Sequence, residues 1–570
     1  MRIKFLKFLF LFFLFAIAVR LFYWQVFQFD DLSARAEQQH LSTRTLDAPR
    51  GEILSSDGSI LVSNKPTYTL FGLPKIIKNK TETAKSLAKI IVFNESKNEE
   101  IDPKEIIDLK NDIFKKLSSD LNWVLLSKSI ELSTKEELEK LKIDGIGFEE
   151  QSNRFYPESS SSAHLLGFVG SDSLGRQVGY FGIEGFYDGQ LKGVGGVLTE
   201  EKDAQGLPIL MGKFLQKEPK NGNNLVLNID RVVQYIVEKK LKEGVEKFGA
   251  KNGSVIIMDP KTGAILAMAS FPNYDPGDFN NFPKENFKNP IVADSYEPGS
   301  TFKVLVMAAA INENLVKNDT KCDVCAGPVK ASDYLIRTWD NKYYPDTTMT
   351  DVIVHSDNTG MVFVGRKLGI DKFYQYLENF GFGSLTGVDL QDETTPDIRV
   401  KSEWRDIDLA TASFGQGIAV TPMQTIRAIA SIANDGFLME PHVVKEIQNG
   451  NKILEIKPKI ISRLFTSETT KIVTDMMVQA VEKGEAKYLA PKGYRIAGKT
   501  GTAQIPVAGH YDPTKTIASF VGFAPAADPK FIMLVKYQEP SSSIFGAETA
   551  APTFFEIAKE LLTYYNIAPN

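Results

Sequence analysis

The chain has 570 residues, 43% hydrophobic and 24% charged, an ordinary globular composition with apolar content for two or three domains. A formal net charge of −5, with no basic block beyond the N-terminus, argues against a nucleic-acid surface. Only two cysteines occur, Cys322 and Cys325, so this is not a disulfide scaffold.

Arg2, Lys4 and Lys7 precede an apolar run from Phe8 to Val19, which resumes after Arg20 as Leu21 to Phe27. Phe8 to Phe27 is long enough to span a bilayer, with Arg20 snorkelling and Tyr23 and Trp24 suited to an interface. The positive flank comes first and Asp30-Asp31 follow, which predicts a single-pass anchor with a cytoplasmic N-terminus and the bulk outside. Ala16-Ile17-Ala18 has the small-x-small form of a signal-peptide cleavage site. Apolar and aromatic residues continue past it, which favours a retained anchor over residues 1–28.

Leu32 to Leu46 reads as a polar stalk with helical character. Two strand-like runs, Arg50 to Leu54 and Ser59 to Val62, flank Asp57-Gly58 and predict a hairpin. Thr81 to Lys142 is rich in Lys, Glu and Leu, which predicts a helical insertion (81–147) within a non-catalytic domain over 29–220. Phe148 to Gly196 is glycine-rich and irregular. From Asn224 the texture changes, and the main boundary falls near 220, opening a domain over 221–570. There Arg231 to Phe248 is an amphipathic helix. Ser254 to Met258 and Ala264 to Ala269 flank a Pro/Gly turn as a second hairpin. Later strands are expected at Tyr494 to Ala503, Ile517 to Phe523 and Phe531 to Tyr537. Helices are expected at Thr301 to Ile311, Met349 to Leu368 and Thr466 to Val481. Strands at both ends with helices between give the fold class α+β, an antiparallel sheet flanked by helices.

Three short motifs carry chemistry. Ser300-Thr301-Phe302-Lys303 follows Pro298-Gly299 and leads into the apolar run Val304 to Ile311, a helix start. Ser300 and Lys303 are neighbours on one face of its first turn. A serine hydroxyl needs a base, and a lysine serves if burial lowers its pKa. The helix N-terminus adds positive potential for an oxyanion. Ser356-Asp357-Asn358 falls in the second helical segment. Its hydroxyl can relay a proton and its amide can hold a carbonyl, although all three residue types also favour helix N-caps. Lys499-Thr500-Gly501-Thr502 continues a strand. There a cation and two hydroxyls suit a carboxylate, and Gly501 admits a substrate backbone.

Each motif has decoys. Ser86-Leu87-Ala88-Lys89 repeats the first pattern inside a charged helical stretch. Lys261-Thr262-Gly263 repeats the third in a hairpin turn, ahead of Ser300. Gly493 to Thr500 fits the nucleotide-binding pattern G-x4-G-K-[ST], but a helix precedes it and Pro506 prevents a helix from following. Cys322-x-x-Cys325 admits a local disulfide, half a metal site or free thiols; zinc needs four ligands, the chain has no further cysteine and only five histidines, and export favours a local disulfide or nothing functional. No metal or cofactor is implied.

The order S-x-x-K, S-D-N, K-T-G belongs to penicillin-binding proteins and class A β-lactamases. Arg50-Gly51, Arg154-Phe155-Tyr156-Pro157, Leu166 to Gly170, Gly182-Ile183-Glu184, Tyr296 to Gly299 and Phe414 to Gly417 extend the likeness. The chain resembles the class B penicillin-binding proteins, nearest the cell-division (septal) peptidoglycan D,D-transpeptidases. The resemblance implies a membrane anchor, an elongated pedestal of the dimerisation type and a C-terminal penicillin-binding domain of serine β-lactamase-like fold. It implies Ser300 as nucleophile, Lys303 as base and Ser356 as proton relay. It further implies Asn358 as the donor's holder and Lys499, Thr500 and Thr502 as carboxylate ligands, Gly501 lying between them. The backbone N–H groups of Ser300 and Thr502 would form the oxyanion hole. Implied partners are peptidoglycan stem peptides, β-lactams, the bacterial inner membrane, a membrane glycan polymerase and other division proteins. Two readings stand beside a transpeptidase: a β-lactam sensor or division scaffold without turnover, and a β-lactamase, for which no water-activating carboxylate is identified. Nothing upstream resembles a glycosyltransferase motif.

Overall fold

The computed structural model describes residues 2–96, 102–173, 175–201, 214–507 and 510–569. The chain crosses repeatedly between two units. One takes Met1–Pro49, Pro66–Ser152 and Lys192–Gly222, the other Arg50–Lys65, Asn153–Leu191 and Asn223–Asn570. The last crossing falls between Gly222 and Asn223. Segments 50–65 and 153–191 of the stretch 29–220 pack within the second unit.

In the first unit a helix over Arg2–Phe22 runs on as a π-helical turn, Tyr23–Phe27. These 26 residues form a helix long and apolar enough to cross a membrane, with none of its hydrophobic window buried. At 1.5 Å per residue it reaches about 39 Å, more than the ~30 Å hydrocarbon core. The stalk is a helix, Phe29–His40, followed by a strand, Leu41–Leu46, which pairs antiparallel with Gly196–Glu201. The insertion is not all helical. Helices Lys80–Glu95, Pro103–Leu117 and Leu132–Lys140 accompany a strand, Val124–Ile130, paired through Leu70↔Ser127 and Phe71↔Leu125. Val124, Leu126 and Ile130 bury one face of this strand with Leu70, Leu87, Ile91, Ile113 and Leu117. A seven-residue period-two run is easily lost among Lys/Glu-rich helical patterns.

The second unit opens on the expected hairpin, with Ile53 opposite Val62 and Gly58 in a left-handed turn (φ 84°). Beneath it lies a buried charge cluster. Glu184, fully buried, accepts from Arg50 (2.7 Å) and from Arg154 (2.5 Å). Arg50 also reaches Asp188 (2.8 Å), and Arg154 reaches Asn64 (3.0 Å), whose amide returns to the Arg50 carbonyl (2.6 Å). Burial works against the Arg50 charge, but Glu184 and Asp188 outweigh it and hold its pKa above the usual value. Residues near 50, 64, 154 and 184 are thereby stitched together, and the glycine-rich stretch read as irregular acquires order from this cluster.

The rest of the unit is a sheet between two helical layers. The elements that frame the site are α1 (Arg231–Phe248), β1 (Asn252–Met258), β2 (Ile265–Phe271), α2 (Lys303–Asn312), α3 (Met349–Val354), α4 (Asn358–Asn379), α5 (Ser467–Lys483), β3 (Ala497–Val507), β4 (His510–Ala524), β5 (Phe531–Gln538) and α6 (Ala550–Tyr564). The strands lie in the order β2-β1-β5-β4-β3, antiparallel throughout. Side chains alternate across this sheet. Val255, Ile257, Met533 and Val535 face α1 and α6 through Val237, Leu241, Phe554 and Leu561. Ile256, Met258, Ile532 and Leu534 join the other core, with Val304 to Ile311 of α2, Met361 of α4 and Met477 of α5. Both faces are covered, which is why the central strands read as largely apolar runs rather than as alternating ones. The fold is the α+β antiparallel arrangement the sequence predicts, and β3, bearing the third motif, is its edge.

Candidate active site

Ser300 sits on a one-turn 3-10 helix, Gly299–Phe302, that feeds α2. Gly299 is left-handed (φ 55°) and donates its N–H to the Gly415 carbonyl (3.0 Å). A Cβ at Gly299 would lie 3.0 Å from the Thr502 carbonyl oxygen, and one at Gly501 would lie 2.7 Å from Thr301 Cγ2. The turn carrying Ser300 is thus pressed against β3 by two positions that admit no side chain. Ser300 is half-buried.

Lys303 opens α2 and is completely buried. Its Nζ donates to the Ser356 carbonyl (2.6 Å), to Asn358 Oδ1 (2.8 Å) and to Ser356 Oγ (3.3 Å). Burial, then the charge of Lys499, pushes its pKa well below the ordinary lysine value, with Asp357 and Glu485 opposing. None of these bonds engages the Ser300 hydroxyl.

The segment expected as one helix from Met349 to Leu368 is two, and the second motif is the joint. α3 ends at Val354, α4 begins at Asn358, and Ser356 between them is left-handed (φ 56°), a conformation that costs a serine free energy. Asp357 does the capping, accepting from the N–H groups of Thr359 (2.7 Å) and Gly360 (3.2 Å). Its neighbours are thereby released from capping. Ser356 turns its hydroxyl to the two lysines. Asn358 donates to the Arg337 carbonyl (3.0 Å), which aims its own oxygen at Lys303.

From β3, Lys499 reaches Ser356 Oγ (3.0 Å), so one hydroxyl lies within hydrogen-bond distance of both ammonium groups. Burial lowers the Lys499 pKa to about 8, opposed by Glu485. Lys499 also touches the Thr500 hydroxyl (3.1 Å), which donates to Glu485 Oε2 (3.0 Å). Thr502 accepts from the Gly546 N–H (3.0 Å), leaving its hydroxyl proton to point elsewhere. Lys303, Ser356, Asn358, Lys499 and Thr500 therefore form one hydrogen-bonded network. Gly299 and Thr301, on either side of Ser300, pack against Thr502 and Gly501. Glu485 was missed in the sequence: it follows the end of α5 in no motif, and only the approach of that end to β3 reveals it.

The decoys separate. Lys261-Thr262-Gly263 occupies the β1–β2 turn, with Gly263 left-handed (φ 80°) and Thr262 bonded to Asp259 (2.7 Å). Gly493 to Thr500 runs into β3 with no helix after it. Ser86 and Lys89 lie on the helix Lys80–Glu95 of the first unit. Cys322 and Cys325 form a disulfide, one of the alternatives left open above.

Residues 253–562 match the penicillin binding protein transpeptidase domain, and residues 45–227 the penicillin-binding protein dimerisation domain. The chain is 32% identical to Stage V sporulation protein D of Bacillus subtilis, over 97% of this chain and 84% of that protein. It is 29% identical to the peptidoglycan D,D-transpeptidase FtsI of Escherichia coli, over 96% and 89%. In fold it is similar to Penicillin Binding Protein 2X from Streptococcus thermophilus, with a TM-score of 0.74, 24% identity and coverage of 92% and 80%.

Proposed function

This chain belongs to the penicillin-binding protein transpeptidase family, and from that premise we propose that it is a membrane-anchored peptidoglycan D,D-transpeptidase working through a serine acyl-enzyme. Ser300 Oγ attacks the penultimate D-alanine carbonyl of a stem pentapeptide while Lys303, as its neutral amine, takes the hydroxyl proton. The N–H groups of Ser300 and Thr502 hold the oxyanion. The C–N bond breaks, the proton passes through Ser356 to the leaving amine of D-alanine, and an ester on Ser300 remains. An amine from a neighbouring stem displaces Ser300, which recovers its proton, and the new amide is the cross-link. Asn358 holds the donor, Lys499 and the Thr500 and Thr502 hydroxyls hold its terminal carboxylate, and Gly501 lets its backbone approach. β-Lactams, which carry a similar carboxylate and an acylating carbonyl, acylate Ser300 and leave slowly.

The observation that carries this reading is the Lys303 ammonium, fully buried, without a carboxylate in ion-pair contact among the described residues, and bonded to Ser356 and Asn358. A lysine so placed has its pKa pushed down, as a base for a serine requires. The helix Arg2–Phe27 supports a single-pass anchor, cytoplasmic at its N-terminus, with the catalytic unit outside. Asn358 rather than Asp at that position, with the general texture of the chain, favours a role at the division septum over one in elongation.

Labelling with a fluorescent penicillin tests the site. One adduct is expected, at Ser300, absent in Ser300→Ala and kept in Ser86→Ala; label surviving Ser300→Ala overturns the assignment. Cross-linking of a pentapeptide donor to an amine acceptor by the purified chain separates a transpeptidase from a sensor that binds without turnover. Rapid penicillin hydrolysis points instead to a β-lactamase.

A further inference from the structure

A third buried lysine lies outside every motif. Lys536 is on β5, whose other residues from Phe531 to Tyr537 are all apolar or aromatic and buried. Its direct cross-strand partners are Ser254 on β1 and Ser519 on β4. Ser254 stands opposite Ser270, and Ser519 opposite Gly501. Residues directly opposite in an antiparallel sheet share a face. A polar row, Ser270–Ser254–Lys536–Ser519–Gly501, therefore crosses all five strands and ends in the third motif. A buried cation is costly, and an aliphatic residue here would pack with less penalty. Lys536 forms no ion pair among the described residues; burial lowers its pKa to about 8, opposed by Asp294.

What its ammonium meets is the Tyr296 ring, 5.1 Å from the centroid. Tyr296 is buried four residues before Ser300. It exchanges two backbone bonds with Val420 (both 2.9 Å), and its hydroxyl reaches Thr425 (3.2 Å). The segment from Tyr296 to Thr301 thus lies between the 415–420 strip and the polar row, with Lys536 under its start and Gly501 against its end.

We propose that Lys536 is a positioning residue, its ammonium fixing through the Tyr296 face the segment that presents Ser300. This rests on the acyl-enzyme reading above. The test is the second-order rate of Ser300 acylation by fluorescent penicillin at pH 7, with thermal midpoints, on the full chain in detergent. Lys536→Met keeps the length of the side chain and removes the charge. Its acylation should fall about tenfold, the scale of a desolvated cation–π contact, while its midpoint holds or rises. Tyr296→Leu should fall similarly, Tyr296→Phe should stay within about threefold, and the Lys536→Met/Tyr296→Leu double variant should be no slower than either single one. Wild-type acylation by Lys536→Met overturns the proposal. So does a loss of rate that tracks a falling midpoint and multiplies with Tyr296→Leu. A wild-type chain that takes no label at Ser300 instead overturns the transpeptidase reading, and this one with it.

Discussion

Two buried charge networks in the second unit follow opposite rules. Around Glu184, two guanidinium groups meet two carboxylates, every charge has a counter-charge, and the geometry binds four chain segments. Around Ser356, two ammonium groups converge on one hydroxyl, and no carboxylate forms an ion pair with either among the described residues. Burial cost is met in the first by pairing and in the second by lowered pKa. A compensated cluster is inert and holds structure. An uncompensated one keeps a proton that leaves easily, the property acid–base chemistry needs.

The contrast breaks most sharply at Lys303. Lys303→Arg retains charge but cannot accept a proton, so penicillin acylation should fall about 10²–10⁴-fold. Near-normal labelling of that variant would refute Lys303 as the base. Lys303→Met should acylate as poorly yet hold or raise the unfolding midpoint, because it removes an unpaired buried cation.

Glu184→Ala should do the reverse. It strands Arg50 and Arg154, which predicts a loss of about 3–5 kcal/mol in denaturant unfolding. The molecules still folded should acylate at the wild-type rate. A Glu184→Ala chain of native stability would show that the cluster does not hold these segments together.

The smallest effect is pH dependence at Lys499. Its pKa falls from 10.5 to about 8 on folding, so between those values the unfolded chain binds more protons. Its contribution to stability therefore rises with pH across that window, while the charge offered to a carboxylate is lost. Acylation should decline above a pH of about 8 as the Lys499 contribution to stability increases. Glu485→Gln removes the group opposing the shift and should move that decline to lower pH. A decline that stays put in this variant would detach Glu485 from Lys499.

Much of the fold was legible because local rules wrote it. The helix Arg231–Phe248 was read to the residue from its apolar periodicity, and the β1–β2 hairpin from two apolar runs about a Pro/Gly turn. The strand Val124–Ile130 was not legible, since a short alternating run gains meaning only from the partner it finds. The helix from Met349 was drawn through residue 356 because apolar periodicity continues on both sides. Capping by Asp357 and the left-handed Ser356 break it there.

The sequence by itself determined the membrane-length apolar helix, the fold class and the identity of the three motif-bearing segments, because spacing, apolar periodicity and chain order are one-dimensional properties. Only the tertiary structure decided that Lys303 and Lys499 share one hydroxyl, that Glu485 stands beside Thr500 and that Lys536 underlies Tyr296. Burial and the proximity of distant charges set those pKa values, and neither exists until the chain has closed on itself.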